Sequence, residues 1–317
     1  VTLPGLYRLG KAIRKYRIKY VYFTDQSVFR WLYLYMRLMG VDKIIVHSRV
    51  SVADPDPAVP EKGIRKLLKS IIGKVPWATP DRVYAVSDFV RNRLIEKNCF
   101  PAEKVIKIMN GINIDKYACS ENTIENDNIV VYAGGRSTRQ KGIGVLISAV
   151  HLVVTKFGVT EFYVEYAGDG PDQAEFRQMV EDLEIQQYFR FLGQLANTRD
   201  TVCKADIVIV PSIWGDACPS AVSEALAAGK ALITTRAGGI PEIVGDDRNA
   251  IIVPPADERA LAAVLARLIR SKDERLQFGM NARARAVKAL DEKIYYKQIL
   301  EQMFADFGIC ASPVMSS

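Results

Sequence analysis

Apolar residues along this 317-residue chain fall in short runs that alternate with stretches of helical spacing. Runs of β-branched and aromatic residues bounded by Gly, Pro, Asp or Asn mark buried strands, and recurrence at i, i+3, i+4 marks amphipathic helices. This pattern predicts strands at Tyr20–Phe23, Lys43–His47, Arg82–Val86 and Val105–Ile108. Helical stretches lie at about Val28–Met39, over Lys62–Gly73, and from a cap at Ser87 or Asp88. At the start of the chain, Leu6, Leu9, Ile13 and Tyr16 recur at helical spacing with Arg14, Lys15, Arg17 and Lys19 interleaved. From residue 129 the alternation is more regular. Strands at Ile129–Ala133, Phe162–Tyr166, Phe189–Leu192, Ile207–Pro211 and Ala231–Thr234 take turns with helices at Val145–Lys156, Gln173–Leu183, Ala221–Ala228 and Glu258–Ile269. Helical stretches at about Glu274–Ala289 and Glu292–Phe307 close the chain. Such alternation predicts an α/β protein with parallel sheets built from βαβ units.

The polar, aperiodic segment CSENTIENDN divides the chain. Four regions follow: a first domain (1–118), a linker (119–128), a second domain (129–290) and a C-terminal helix and tail (291–317) expected to pack back toward the first domain. The second domain has the strands of a complete Rossmann-like unit, and the first is short of them. Length agrees with two domains. With 49% hydrophobic and 25% charged residues the composition is globular, excluding disorder and collagen. No apolar run approaches the ~18 residues of a membrane-spanning helix.

Charge is unevenly placed. Residues 1–118 carry 22 Lys and Arg against 10 Asp and Glu, a balance of +12, whereas residues 119–317 carry 21 against 26, a balance of −5. Only the first half is thus suited to an anionic partner, with a membrane surface preferred and nucleic acid set aside for want of a base-reading motif. The five cysteines (Cys99, Cys119, Cys203, Cys218 and Cys310) are odd in number, dispersed and never in C-x-x-C spacing. That argues against a disulfide framework or zinc site and fits a reducing, cytoplasmic compartment.

Ligands of open parallel sheets bind at the carboxyl ends of strands, so the loops after strands carry the candidate chemistry. The loop Gly134 to Gly142 (GGRSTRQKG) joins paired glycines to Arg136 and Lys141 just before a helix N-terminus, a combination suited to a diphosphate. In Trp214 to Glu224, Asp216 sits on a loop and Glu224 about one turn into a helix that starts near Ser220–Val222. These carboxylates either accept hydrogen bonds from vicinal hydroxyls of a ribose or sugar, or serve as a turn cap and a helix-surface residue. Gly168-Asp169-Gly170-Pro171 is a short glycine loop without the full dinucleotide fingerprint, and Gly238-Gly239-Ile240-Pro241-Glu242 is another glycine turn. Asp54-Pro55-Asp56 spells D-x-D, but two prolines make it a rigid turn and no metal is expected there.

Taken in order, these motifs resemble a retaining, nucleotide-sugar-dependent glycosyltransferase of GT-B fold, in the family 4 group that includes sucrose synthase and many bacterial envelope mannosyl- and glucosyltransferases. The family's G-R-x4-K-G reads as Gly135-Arg136 through Lys141-Gly142, A-G-x-G-P as Ala167 to Pro171, and F-L-G as Phe191-Leu192-Gly193. P-S reads as Pro211-Ser212, E-x7-E as Asp216 to Glu224, and G-G-x-P-E as Gly238 to Glu242. The resemblance implies two Rossmann-like domains with a cleft between them, the N-terminal one incomplete, because the strand and glycine-rich loop that begin the family are not seen before Tyr20.

The resemblance also implies site roles. Arg136 and Lys141 would hold the diphosphate, with Gly135, Gly168 and Gly170 also among the donor-binding residues; Ser220, Ala221 and Val222 would present backbone N–H groups to it. Glu224 would bind the ribose, Gln194 and Leu195 the base, and Asp216 the transferred sugar. Asp216 departs from the usual Glu by one methylene. His47, at the end of an apolar strand, stands where the family places a His that hydrogen-bonds the sugar, although a buried structural His is the alternative. No cofactor or metal is implied beyond a nucleotide-diphosphate sugar as donor substrate. The expected activity is hexosyl transfer with retention to a glycan or lipid-linked acceptor in cell-envelope polysaccharide synthesis, at the inner face of the membrane. The alternative is a truncated, non-catalytic nucleotide- or partner-binding member of the same fold.

Overall fold

The computed structural model describes residues 2–49, 64–73, 75, 77–119 and 128–309. The D-x-D at Asp54–Asp56, most of the expected linker, and Cys310 lie outside the described residues. Two compact units are present. The chain leaves the first at Met109, forms the second from Asn110 to Ile294, and returns to the first from Tyr295.

The first unit runs α1 (Leu3–Lys15), β1 (Tyr20–Thr24), α2 (Trp31–Leu38), β2 (Lys43–Ser48), α3 (Ile64–Gly73), β3 (Arg82–Ala85), α4 (Asp88–Glu96) and β4 (Val105–Lys107). Its sheet is parallel, in the order β1-β2-β3-β4, with Thr24 opposite His47 and His47 opposite Tyr84. A central parallel strand is covered on both faces and so reads as an unbroken apolar run. In β2, Ile44 to His47 are all buried accordingly. Arg30 stays extended (φ −147°, ψ 131°), so α2 starts at Trp31 and not at Val28. Ser87 is the cap of α4, its Oγ accepting from the Val90 N–H at 3.3 Å.

The second unit runs β5 (Ile129–Gly134), α5 (Ile143–Thr155), β6 (Phe162–Ala167), α6 (Gln173–Asp182), β7 (Phe189–Gly193), α7 (Arg199–Lys204), β8 (Ile207–Val210), α8 (Ser220–Ala227), β9 (Ala231–Thr235), α9 (Ile240–Val244), β10 (Ile251–Val253), α10 (Glu258–Arg270) and α11 (Lys272–Ala289). The sheet order β10-β9-β8-β5-β6-β7 is that of a doubly wound Rossmann unit. The chain turns outward in opposite directions from β5 and β8, which opens a crevice at their carboxyl ends. Val131, Val164, Ile207, Ile209 and Ile233 of the sheet join Ile143, Leu146, Ile147 and Val150 of α5 in one core.

The division by contacts falls at 109/110, earlier than the 118/119 boundary expected from the polar segment. Asn110–Ala118 is held in the second unit by backbone bonds from Ile112 N–H to the Leu290 carbonyl (2.7 Å) and from Glu292 N–H to the Ile112 carbonyl (2.9 Å). The last helix, α12 (Glu292–Phe307), belongs to the first unit from Tyr295 on. There Ile299, Leu300, Met303 and Phe307 cover Ile45, Tyr84 and Ile108. Asp306 accepts from Arg82 Nε and from the Tyr84 hydroxyl, each at 2.8 Å.

Candidate active site

Four loops after β5, β6, β8 and β9 are packed directly on one another. A Cβ on Gly142 would overlap the Pro211 carbonyl oxygen, one on Gly168 that of Gly135, and one on Gly238 that of Asp216. Gly142 and Gly238 also have positive φ (+72° and +61°), where side-chain-bearing residues are strained. These glycines serve loop-on-loop contact. Hydrogen bonds complete the assembly: Tyr166 hydroxyl to the Gly135 carbonyl (2.9 Å), Gln140 Nε2 to the Trp214 carbonyl (3.1 Å), and Gly239 N–H to the Asp216 carbonyl (2.8 Å). Ser137 is fully buried and shares a 2.8 Å bond with the Tyr166 hydroxyl.

This framework encloses a pocket of about 440 Å³ whose lining includes Gly135, Arg136, Gly168, Gln194, Leu195, Ser220, Ala221 and Glu224. The volume lies within the range of ~300–1,000 Å³ found for small-molecule sites. Arg136 is exposed at it, with no ion-pair partner among the described residues. Glu224 Oε2 accepts from the Thr198 hydroxyl at 3.0 Å, and both residues line the pocket. Tyr132, another lining residue, has its hydroxyl pushed well above the ordinary range by burial.

Other residues expected at the site are placed differently. Lys141 and Asp216 are not in the pocket lining but are joined to each other, Nζ to Oδ2 at 2.6 Å. Ser212 Oγ donates to the same Oδ2 at 2.8 Å. Gly170 packs against Ser137, and the Val222 side chain is fully buried while its N–H donates to the Pro219 carbonyl (3.2 Å). At the mouth of α8 this leaves Ser220 and Ala221 facing the pocket. His47 lies in the first unit, 1% exposed, its Nδ1 2.6 Å from the Tyr22 hydroxyl. Burial, together with the nearby Arg49 charge, lowers its pKa to about 4, so the imidazole is neutral at physiological pH.

Sequence reasoning missed Thr198, Tyr132 and Ser212 as site residues. Thr198 precedes α7, six residues with no apolar periodicity, so nothing marked it. It also missed a covalent link. Cys119 and Cys203 form a disulfide across a sequence separation of 84 residues, which runs against the expectation from cysteine spacing of no disulfide framework. The same strip is held by Arg199, which donates to the Lys116 carbonyl at 2.5 Å and the Ala118 carbonyl at 3.5 Å. Cys218 is a free thiol pushed up to about 11 by burial, hence inert.

A larger cavity of about 580 Å³ lies at the amino ends of β8 and β9 and is lined by Lys230, Lys272, Arg275 and Arg283. Three of these cations already cap helix carboxyl ends. Lys230 donates to the Cys203 carbonyl (2.6 Å), Arg275 to those of Leu268 (2.7 Å) and Ile269 (2.9 Å), and Arg283 to that of Ala227. Its chemistry is that of helix capping, and the smaller pocket is the candidate site.

The family model for glycosyl transferases group 1 matches residues 114–285, more than half of the chain and the whole of this site. The chain belongs to that family. Among curated relatives, it is 25% identical over 232 residues to the amylovoran biosynthesis glycosyltransferase AmsK of Erwinia amylovora, covering 71% of this chain and 56% of that protein. It is 26% identical over 226 residues to the phosphatidyl-myo-inositol mannosyltransferase of Mycolicibacterium smegmatis, covering 70% and 54%. The chain thus spans just over half the length of these two relatives. Solved structures that share its fold include a glycosyltransferase from Rickettsia africae ESF-5 (TM-score 0.79, 21% identity, 96% of this chain and 81% of that one). Another is Anabaena HepE in complex with UDP (TM-score 0.78, 20% identity, 95% and 82%). The two parallel-sheet units are those of GT-B glycosyltransferases.

Proposed function

We propose that this chain is a retaining hexosyltransferase that moves a sugar from a nucleotide-diphosphate donor to a glycan or lipid-linked acceptor of the cell envelope. The observation that carries the reading is the pocket at the carboxyl ends of β5 and β6, where Arg136, the start of α8 and Glu224 share one lining. A diphosphate is matched by the Arg136 cation and the free N–H groups of a helix start. Glu224, oriented by Thr198, is matched to vicinal ribose hydroxyls, and Gln194 and Leu195 to the base. Lys141 and Arg136 would then stabilise charge that develops on the departing nucleoside diphosphate. His47, as a neutral imidazole, would take part as a hydrogen-bonding group and not act as a base. Relatives named for amylovoran and phosphatidylinositol glycosides support an envelope acceptor.

Isothermal titration of the protein with UDP, GDP and ADP tests the reading. One nucleotide binds, and Arg136→Ala and Lys141→Ala weaken it at least tenfold; absence of binding to all three by the unaltered protein overturns the assignment.

For the acceptor side, α1 supports peripheral docking on an anionic membrane at its cytoplasmic face. Leu3 and Tyr7 of this helix, and Tyr16 just past its end, are 83%, 71% and 68% exposed, and the helix also carries Arg8, Lys11, Arg14 and Lys15. Gly10 and Ile13 face inward. An exposed aromatic and basic face of this kind inserts its rings at headgroup level while its cations meet anionic lipid. Among the described residues no helix is long and apolar enough to cross a membrane. Sedimentation with phosphatidylglycerol-containing vesicles, and not with pure phosphatidylcholine, is the expected result.

A further inference from the structure

The Lys141–Asp216 pair has an arrangement that a sugar-contacting carboxylate does not require. Asp216 is 2% exposed, and its Oδ2 accepts both Lys141 Nζ (2.6 Å) and Ser212 Oγ (2.8 Å). A carboxylate this far out of water must be paired, and two donors on one oxygen fix its direction. The backbone around it is equally fixed. The Asp216 carbonyl accepts from Gly239 N–H (2.8 Å), Gly238 packs against the Asp216 peptide, and the Ser212 carbonyl accepts from Thr235 Oγ1 (2.5 Å). Lys141 is the adaptable member, 23% exposed, on a four-carbon stem. That stem runs over Gly135, its Cγ, Cδ and Cε standing 3.8–3.9 Å from where a Cβ on Gly135 would lie. Gly135 belongs to the pocket wall. The ammonium is therefore tethered just behind that wall by a rigid anion.

We propose that Asp216, anchored by Ser212, is the positioning residue for Lys141, and that it competes with the donor diphosphate for the same ammonium. The inference rests on reading the pocket as a nucleotide-diphosphate site. With Asp216 in place, Lys141 is partly neutralised in the ground state. As the bond between the sugar's anomeric carbon and the diphosphate oxygen breaks, its electron pair moves onto that oxygen. The anomeric carbon bonds to the hydroxyl oxygen of the acceptor (of water in hydrolysis), and the hydroxyl's proton passes to the departing diphosphate. The ammonium shifts its favour toward the charge growing there. An interaction that strengthens along the reaction raises turnover and does not merely tighten binding. The aspartate, one methylene shorter than glutamate, holds the carboxylate back at Ser212.

Three readings of the purified full chain test this: the Kd of whichever of UDP, GDP and ADP the unaltered protein binds, the rate at which it hydrolyses UDP-glucose, UDP-N-acetylglucosamine or GDP-mannose, and thermal unfolding of each variant. Asp216→Asn removes the competing charge. It binds the nucleotide at least threefold more tightly yet hydrolyses the donor at least tenfold more slowly, while Ser212→Ala moves both in the same directions by less. Lys141→Ala loses binding and turnover together. An Asp216→Asn protein that is folded, with affinity and turnover equal to those of the unaltered chain, overturns the inference and leaves the nucleotide reading standing. So does one whose affinity falls as it does in Lys141→Ala. Should Asp216→Asn fail to fold, Ser212→Ala with both constants unchanged overturns it. Absence of nucleotide binding by the unaltered chain overturns the reading, and this inference with it.

Discussion

The Thr198 hydroxyl donates to Glu224 Oε2 at 3.0 Å, so a carboxylate on α8 is oriented by the residue that opens α7. Hydrogen bonds to charged acceptors contribute about 1.5–3 kcal/mol when shielded from water, and less at a half-exposed wall such as this. Thr198→Val is expected to weaken nucleotide binding roughly three- to tenfold, whereas Thr198→Ser retains it. Titration calorimetry separates the two. An equal loss in both would assign the effect to packing and not to the hydroxyl.

Gly142 has φ +72° and lies under the Pro211 carbonyl. Gly142→Ala meets both backbone strain and steric overlap. It should destabilise the protein by about 2–4 kcal/mol in chemical denaturation and reduce nucleotide affinity in whatever folded fraction remains. Gly158→Ala is the control: its φ of +63° is similar, but no atom stands within 4 Å of the added carbon.

The Cys119–Cys203 disulfide closes a separation of 84 residues. Loop-closure entropy puts its stabilisation at up to about 4–5 kcal/mol. Reduction, or Cys203→Ser, should lower the unfolding temperature. It should also loosen α7, and through Thr198 weaken nucleotide binding. A thiol titration that finds Cys119 fully reactive in the folded, untreated protein would remove the bond from consideration.

His47 makes stability depend on pH. Its folded pKa is about 4, below the unfolded value of about 6.5, so the unfolded chain binds the proton first. Stability is complete above pH 6.5, falls as the pH drops through the window from 6.5 to 4, and is flat with respect to this group below it. The loss approaches about 3 kcal/mol. In His47→Asn that slope disappears, which urea unfolding at pH 7, 5.5 and 4.5 would detect.

Much of this architecture was legible because each strand is a short β-branched run closed by turn residues. Ile44-Ile45-Val46 and Val130-Val131 needed no tertiary context. Ile251–Val253 was not legible as β10, since three residues before two prolines carry little periodicity. Nor was α7, whose RDTVCK has one buried residue, Val202. Gly135, Arg136 and Glu224 of the family motifs line one pocket, because they are spaced by the strands they follow. What the motifs could not convey is partnership across the sheet. Lys141 and Asp216 are 75 residues apart, and Cys119 and Cys203 are 84 apart. Such pairs meet only because β5 and β8 are neighbours while β6 and β7 intervene in sequence.

The interlocked glycines have a consequence for how the site can diverge. Each loop leans on its neighbour through a point with no space for a methyl group, at Gly142 on Pro211, Gly168 on Gly135 and Gly238 on Asp216. A change at one of these points displaces two loops at once, so this end of the pocket can be altered only by coordinated substitutions. Gln194 and Leu195 stand outside the interlock, Gln194 with its side chain exposed. Single substitutions can accumulate there. Over evolutionary time the Gln194–Leu195 end of the pocket is free to drift residue by residue, while the interlocked loops are inherited as a block.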